Sequence, residues 1–162
     1  MNKAVFFDRD GTLIVDKHYL NDPNDIEYMP GAFTALKKLS DAGYMLIVVT
    51  NQSGIPRGKV TEENLHQIHS NMQSEFEKHG FKIEEYYFSP HLPDSDHPTR
   101  KPNPGMLLQA SEEHSVDLKS SWMIGDKDID VEAGHRAGAR SILFDGNITL
   151  EECAEKILNE TN

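Results

Sequence analysis

Two aspartates one residue apart, Asp8 and Asp10, follow the apolar run Val5-Phe6-Phe7 and precede Gly11-Thr12. Carboxylates so placed can divide a phosphoryl transfer between them, one attacking phosphorus while the other handles the leaving group's proton. Gly11 permits the tight turn that points both inward. A calcium loop is the competing reading. An EF-hand counted from Asp8 needs glycine at its sixth position and glutamate at its twelfth, where this chain has Leu13 and Tyr19. A second acidic stretch, Gly125-Asp126-Lys127-Asp128-Ile129-Asp130, lies far downstream. With no cysteine and few histidines nearby, these carboxylates suit a hard, oxygen-ligated cation, and Mg²⁺ fits best. Such an ion offsets the repulsion between an incoming phosphate and three aspartates, and polarises the phosphoryl oxygen. Thr50 can donate a hydrogen bond to that oxygen. Lys101, in Arg100-Lys101-Pro102-Asn103-Pro104, can place positive charge on the transferring group. Alone, Lys101 reads as a solvated loop charge; its position relative to the others reverses that.

The elements that must position these residues show in the apolar patterning. Strands are predicted at 3–8, 44–50, 83–88, 121–125 and 140–144. Continuous apolar runs such as Ile47-Val48-Val49 suit parallel strands covered on both faces. Helices are predicted at 31–42, capped by Gly43; from Thr61, an N-cap residue, to before Gly80; at 104–114, opened by Pro104; at 128–137, closed by Gly138; and at 149–158. The alternation predicts an α/β fold: a three-layer, Rossmann-like parallel sheet with helices on both faces. Such sheets bind ligands outside the carboxyl ends of their strands. The residues there are Asp8 to Thr12, Thr50 to Ser53, Ser89 to His91 and Gly125 to Lys127. Loop polarity accounts for polar residues at these places, but not for carboxylates, a hydroxyl and a lysine gathered at three strand ends.

The chain has 162 residues, which predicts a single domain over 1–162 with a core of its own. Cys153 is the only cysteine, so no disulfide forms within the chain and a reducing compartment, the cytoplasm, is expected. The start of the chain does not read as a signal peptide, and no apolar run approaches the ~20 residues of a membrane helix. Sixteen Lys and Arg stand against 27 Asp and Glu, for a net charge of −11. That balance disfavours nucleic acid and anionic membranes as partners and makes a local basic cluster more informative. A small phosphorylated metabolite is the expected partner, and a monomer the expected state.

In order, Asp8-x-Asp10-Gly11-Thr12, Thr50, Lys101 and Gly125-Asp126-x3-Asp130 resemble the four motifs of the haloacid dehalogenase superfamily of phosphatases. The resemblance covers essentially the whole chain. It implies Asp8 as nucleophile and metal ligand, and Asp10 as general acid/base with its backbone carbonyl on the metal. Asp126 would be the third protein ligand. Thr50 and Lys101 would stabilise the phosphoryl group, with Asp130 as outer support. The connections Leu13 to Pro30 and Ser89 to Asn103 are too short for a folded cap domain, which predicts an open site with specificity carried by loops.

Finer motifs resemble the branch containing heptose 1,7-bisphosphate and histidinol-phosphate phosphatases. They are Asp8-Arg9-Asp10-Gly11-Thr12-x3-Asp16-x2-Tyr19, Val49-Thr50-Asn51-Gln52-Ser53-Gly54-Ile55-x-Arg57-Gly58, and Arg100-Lys101-Pro102-x-Pro104-Gly105-Met106. The resemblance implies substrate contacts from Asp16, Tyr19, Asn51, Gln52, Ser53, Arg100 and Lys127. Arg100 can bind a second phosphate bidentately. Arg57 and Lys59 are further basic candidates that read equally well as exposed loop charge. A sugar bisphosphate is the first expected substrate and histidinol phosphate the second. The branch's structural zinc site falls on Ser89, His91, His97 and Thr99, two of which cannot serve as ligands of the required type, so structural Zn²⁺ is not expected. A receiver-type phosphoacceptor domain is the non-enzymatic rival. Such domains carry their acceptor Asp after the third strand, where this chain has Phe88-Ser89-Pro90.

Overall fold

The structure is a computed structural model in which residues 1–160 are described. Thr161 and Asn162, the end of the expected 1–162 domain, lie outside the described residues. The elements run β1 (Ala4–Phe7), α1 (Ala32–Asp41), β2 (Met45–Asn51), α2 (Glu62–Lys78), β3 (Glu85–Ser89), α3 (Gly105–His114), β4 (Trp122–Gly125), α4 (Asp128–Ala137), β5 (Arg140–Leu143) and α5 (Leu150–Glu160). Short 3₁₀ turns occupy Pro93–Ser95 and Leu118–Ser120.

All four strand pairings are parallel, in the order β3-β2-β1-β4-β5. β1 is central and buried along its whole length. Its side chains alternate between two cores. Val5 and Phe7 pack with Leu36, Ile68, Phe76 and Ile157 from α1, α2 and α5. Ala4 and Phe6 pack with Leu107, Ala110 and Ala133 from α3 and α4. Burying a phenylalanine on each face contributes roughly 1.5–3 kcal/mol apiece, which fixes the central strand and therefore the residue that follows it. The three-layer expectation holds.

Element ends differ slightly from expectation, each for a local reason. Ile83 reads as strand, yet it plugs the core ahead of β3 while Gln73 of α2 satisfies both its backbone N–H and its carbonyl. Gly31 and Pro104 sit just outside their helices as cap residues. At the last helix the Thr149 hydroxyl accepts from Glu152 N–H while the Glu152 carboxylate accepts from Thr149 N–H, a reciprocal cap.

The strand order reverses between β1 and β4, which is where a doubly wound sheet opens its ligand crevice. The connection after β1 folds back on itself through isolated bridges, Asp10 to Ile14 and Ile14 to Tyr28. It buries Leu13, Ile14 and Leu20 and carries no helix. Among the described residues no helix is long and apolar enough to cross a membrane.

Candidate active site

Asp8 is the first residue past β1, 8% exposed, with its N–H donating to Ile124 O at 3.0 Å across the switch point. Its Oδ1 accepts from Lys101 Nζ at 2.8 Å. Lys101 arrives from the loop after β3 and is 2% exposed. Its ammonium has three donors, and each is used: on Asp8 Oδ1, on Val49 O at 2.8 Å and on Asp130 Oδ1 at 2.7 Å. The backbone of Lys101 is clasped by Asn51, which donates to Lys101 O at 3.1 Å and accepts from Lys101 N at 3.0 Å. Asn51, expected at the substrate, thus commits its amide to placing the lysine.

Asp130 lies in the first turn of α4, where a carboxylate is favoured by the helix dipole. Its Oδ2 accepts from Lys127 N–H at 3.0 Å. A Cβ on Gly125 would stand 2.2 Å from Asp130 Cβ, so only glycine lets β4 pass this close. Asp126 approaches from the end of β4, and Thr12 Oγ1 donates to its Oδ1 at 3.4 Å. Gly11, with φ +83°, faces it so closely that a Cβ there would lie 2.4 Å from Asp126 Oδ2.

Asp8, Asp126 and Asp130 each offer a carboxylate oxygen within 4.8 Å of the others. The donor set is all oxygen, which suits Mg²⁺. Both Asp130 oxygens are already engaged by Lys101 and Lys127, which leaves Asp8 and Asp126 the better-placed side-chain ligands. Burial pushes the Asp8 carboxyl well above its ordinary pKa; Lys101 opposes the shift, and Asp130 and Asp126 add to it. Burial pulls the Lys101 ammonium down, but Asp8 and Asp130 outweigh it and the net shift is upward. Both shifts describe an acid-rich pocket short of positive charge, the environment that a divalent cation relieves.

Asp10 faces the same space from a separate clasp. Its Oδ2 accepts from Arg9 Nε and Gln52 Nε2, both at 3.0 Å, and its Oδ1 accepts from Arg9 Nη2 at 3.1 Å. Its side-chain oxygens are therefore occupied by donors rather than turned to the acidic cluster. Gln52 Nε2 also donates to Thr50 Oγ1 at 2.9 Å.

A cavity of about 260 Å³ opens over these groups. Asp8, Asp10, Asn51, Gln52, Lys101 and Asp130 line it from the strand ends and their neighbours. Asp16, Tyr19, Ser53, Arg100 and Lys127 line it from the connecting loops. Thr50, Asp126, Arg57 and Lys59 do not line it. Thr50 is buried and meets the lining through Gln52; Asp126 sits beside Asp8; Arg57 is exposed. The rim is looser than the centre. Arg100 Nη1 donates to His91 O at 3.2 Å, and burial followed by the charge of nearby Arg57 lowers its pKa. His18 and Tyr19 both have positive φ, 54° and 66°, and Lys59 Nζ lies 5.7 Å from the Tyr19 ring centre.

Where β3 runs into the following loop, Ser89 Oγ and Thr99 Oγ1 are 2.9 Å apart, and Thr99 Oγ1 is 2.9 Å from His97 Nδ1. The His91 ring stacks on His97 at 3.6 Å. These four positions are knit to one another directly.

Sequence reasoning missed Arg9 and His69. Arg9 is 1% exposed and bonds to both Asp10 and His69. The available signal was His69 itself, a histidine inside the apolar stripe Leu65-Ile68-Met72-Phe76 of α2.

Comparison with known proteins agrees with this geometry. The HAD-hydrolase-like family model matches residues 98–161. A D-glycero-β-D-manno-heptose-1,7-bisphosphate 7-phosphatase of Helicobacter pylori is 42% identical over 144 residues, covering 88% of this chain and 83% of its own. The chain belongs to the haloacid dehalogenase-like phosphatases. This phosphatase is also 38% identical to a D-glycero-α-D-manno-heptose-1,7-bisphosphate 7-phosphatase of Photorhabdus laumondii, over 84% of this chain and 78% of the relative. Among solved structures it matches the D,D-heptose 1,7-bisphosphate phosphatase of B. bronchiseptica complexed with magnesium and phosphate. The TM-score is 0.86 at 28% identity, covering 98% of this chain and 99% of the other.

Proposed function

We propose that this phosphatase removes the 7-phosphate of D-glycero-D-manno-heptose 1,7-bisphosphate through an aspartyl phosphate on Asp8. The observation that carries the reading is the junction of Asp8, Lys101 and Asp130 beside Asp126 at the sheet's switch point. A carboxylate oxygen of Asp8 attacks phosphorus in line, the bond from phosphorus to the sugar oxygen breaks, and Asp10 gives that oxygen its proton. Asp10 then takes a proton from a water, whose oxygen attacks phosphorus; the bond to Asp8 breaks and phosphate leaves. Lys101, held by three acceptors, neutralises charge on the transferring oxygens without having to reorganise. Thr50, set back from the cavity, acts through the Gln52 amide that it accepts from, and Asp130 fixes Lys101. Mg²⁺, held by Asp8, Asp126 and the Asp10 backbone carbonyl, would screen the acids from the phosphate and polarise it.

Arg100 and Lys127 at the cavity, with Arg57 close by, support a substrate carrying a second phosphate. In a chain of net charge −11, cations gathered at one rim are informative. Asp16, Tyr19, Asn51, Gln52 and Ser53 complete the proposed contacts. The protein works, in this reading, as a single capless domain over 1–162, monomeric and cytoplasmic. Structural zinc is not expected on the Ser89–Thr99 segment, a reading supported by the direct contacts of His97 and its neighbours. The receiver alternative loses support from the strand order, since receiver sheets run 2-1-3-4-5.

The test is Mg²⁺-dependent phosphate release from sugar phosphates, sugar bisphosphates of both anomers and histidinol phosphate. The bisphosphate is expected to show the highest kcat/KM, and both Asp8→Asn and Asp10→Asn to lose turnover while keeping the wild-type circular dichroism. A higher kcat/KM on histidinol phosphate would reassign the substrate. A long-lived phosphoprotein from acetyl phosphate, with no turnover, would make the chain a receiver.

A further inference from the structure

The Asp10 carboxylate is gripped by a side chain that is itself gripped. Arg9 Nε and Nη2 hold the two Asp10 oxygens at 3.0 and 3.1 Å, and Arg9 Nη1 reaches His69 Nε2 on α2 at 3.1 Å. A guanidinium only donates, so His69 Nε2 accepts, and the ring is neutral with its proton on Nδ1. Burial, the Arg9 charge and His66 all lower the pKa of His69, which agrees. The ring plane is set from the third side by Tyr86 of β3, stacked at 4.7 Å and 17°. Arg9 is 1% exposed and His69 6%, so no bulk water stands in for either partner. Packing alone would account for a ring against Tyr86, but not for its nitrogen meeting the one arginine that holds Asp10.

We propose that His69 is a positioning residue for catalysis: through Arg9 it aims the Asp10 carboxyl at the leaving-group oxygen. The proposal rests on Asp10 being the general acid. With His69 truncated, Arg9 Nη1 loses its buried acceptor and the fork is free to turn, so Asp10 delivers its proton from a poorer angle. The cost falls on leaving groups that need a proton.

That selectivity is the test. The kcat/KM value reports the steps up to phosphoenzyme formation and is measured on two esters: p-nitrophenyl phosphate, whose phenolate departs without a proton, and the best sugar phosphate from the screen above. Asp10→Asn sets the scale, with an expected loss on the sugar ester of at least about 10²-fold and a far smaller loss on the aryl ester. If Asp10→Asn lowers both alike, the acid reading fails before His69 is at issue. With that scale in place, His69→Leu is expected to lose roughly tenfold on the sugar ester and under about threefold on the aryl ester. His69→Gln, whose amide oxygen can still accept from Arg9, should recover most of the difference. Equal losses on both esters in His69→Leu, or none, overturn the proposal. Should His69→Leu fail to fold, Arg9→Lys keeps the charge and removes the fork, and must show the same preference for the aryl ester; equal losses there overturn it too.

Discussion

At the strand ends, Lys101 has three acceptors for three donors, Asn51 spends both amide atoms on the Lys101 backbone, and Asp130 spends one oxygen on Lys101 and the other on the start of α4. A short way out, at the rim, Arg100 gives one hydrogen bond to His91 O, Tyr19 is 42% exposed, and Arg57 stands in solvent. The centre is built from groups that cannot move singly without orphaning a buried charge. The rim is built from side chains tethered at one point, free to meet different substrates. Chemistry common to a family is thus placed in the part with least freedom, and substrate choice in the part with most.

Lys101→Met should break the centre most severely. It leaves Asp8 and Asp130 buried without their cation, so a stability loss of about 3–5 kcal/mol is expected in urea unfolding, together with loss of turnover. Retention of wild-type stability would show that the two carboxylates do not depend on the lysine. Arg100→Ala probes the rim. We expect kcat/KM on a bisphosphate to fall roughly tenfold or more, and on the matching monophosphate to change little, with the fold intact. Equal effects on both would place the second phosphate elsewhere. The smallest effect is one of pH. His69 is buried neutral, with its pKa well below the ordinary 6.5, facing Arg9 after β1, His66 on its own helix and Tyr86 of β3. Below about pH 6.5 the unfolded chain takes up a proton here that the folded chain refuses. Stability present above that pH is therefore lost as pH falls toward the folded value. Urea midpoints measured between pH 7 and 5 should slope less steeply in His69→Gln than in wild type.

Much of this was legible in the sequence because strong local signals agreed with the global fold. Each strand was visible as an apolar run, and Asp8, Asp10 and Asp126 came just after one. Thr61 caps α2 through its hydroxyl, as its residue type predicts. What stayed hidden depended on contacts between distant segments. Ile83 looks like strand until Gln73 takes its backbone. Asn51 lines the cavity as expected, but that its amide clasps the Lys101 backbone shows only when Lys101 comes across from another loop. Arg9 was invisible because an arginine in a loop motif reads as solvent-facing, and its burial requires α2 to bring an acceptor to it. Spacing along a chain reveals which residues share an element, but not which of their hydrogen bonds are already spent.

Two positions beside the acids have no side chain at all. Gly11 and Gly125 let Asp126 and Asp130 stand where a methyl group would otherwise be. Mutational surveys that proceed by deletion, trimming each residue to alanine, add an atom at these two positions instead. Inactive variants there would report a lost void, not a lost functional group. The empty volume beside the acids is as much a part of the enzyme's machinery as any atom it contains.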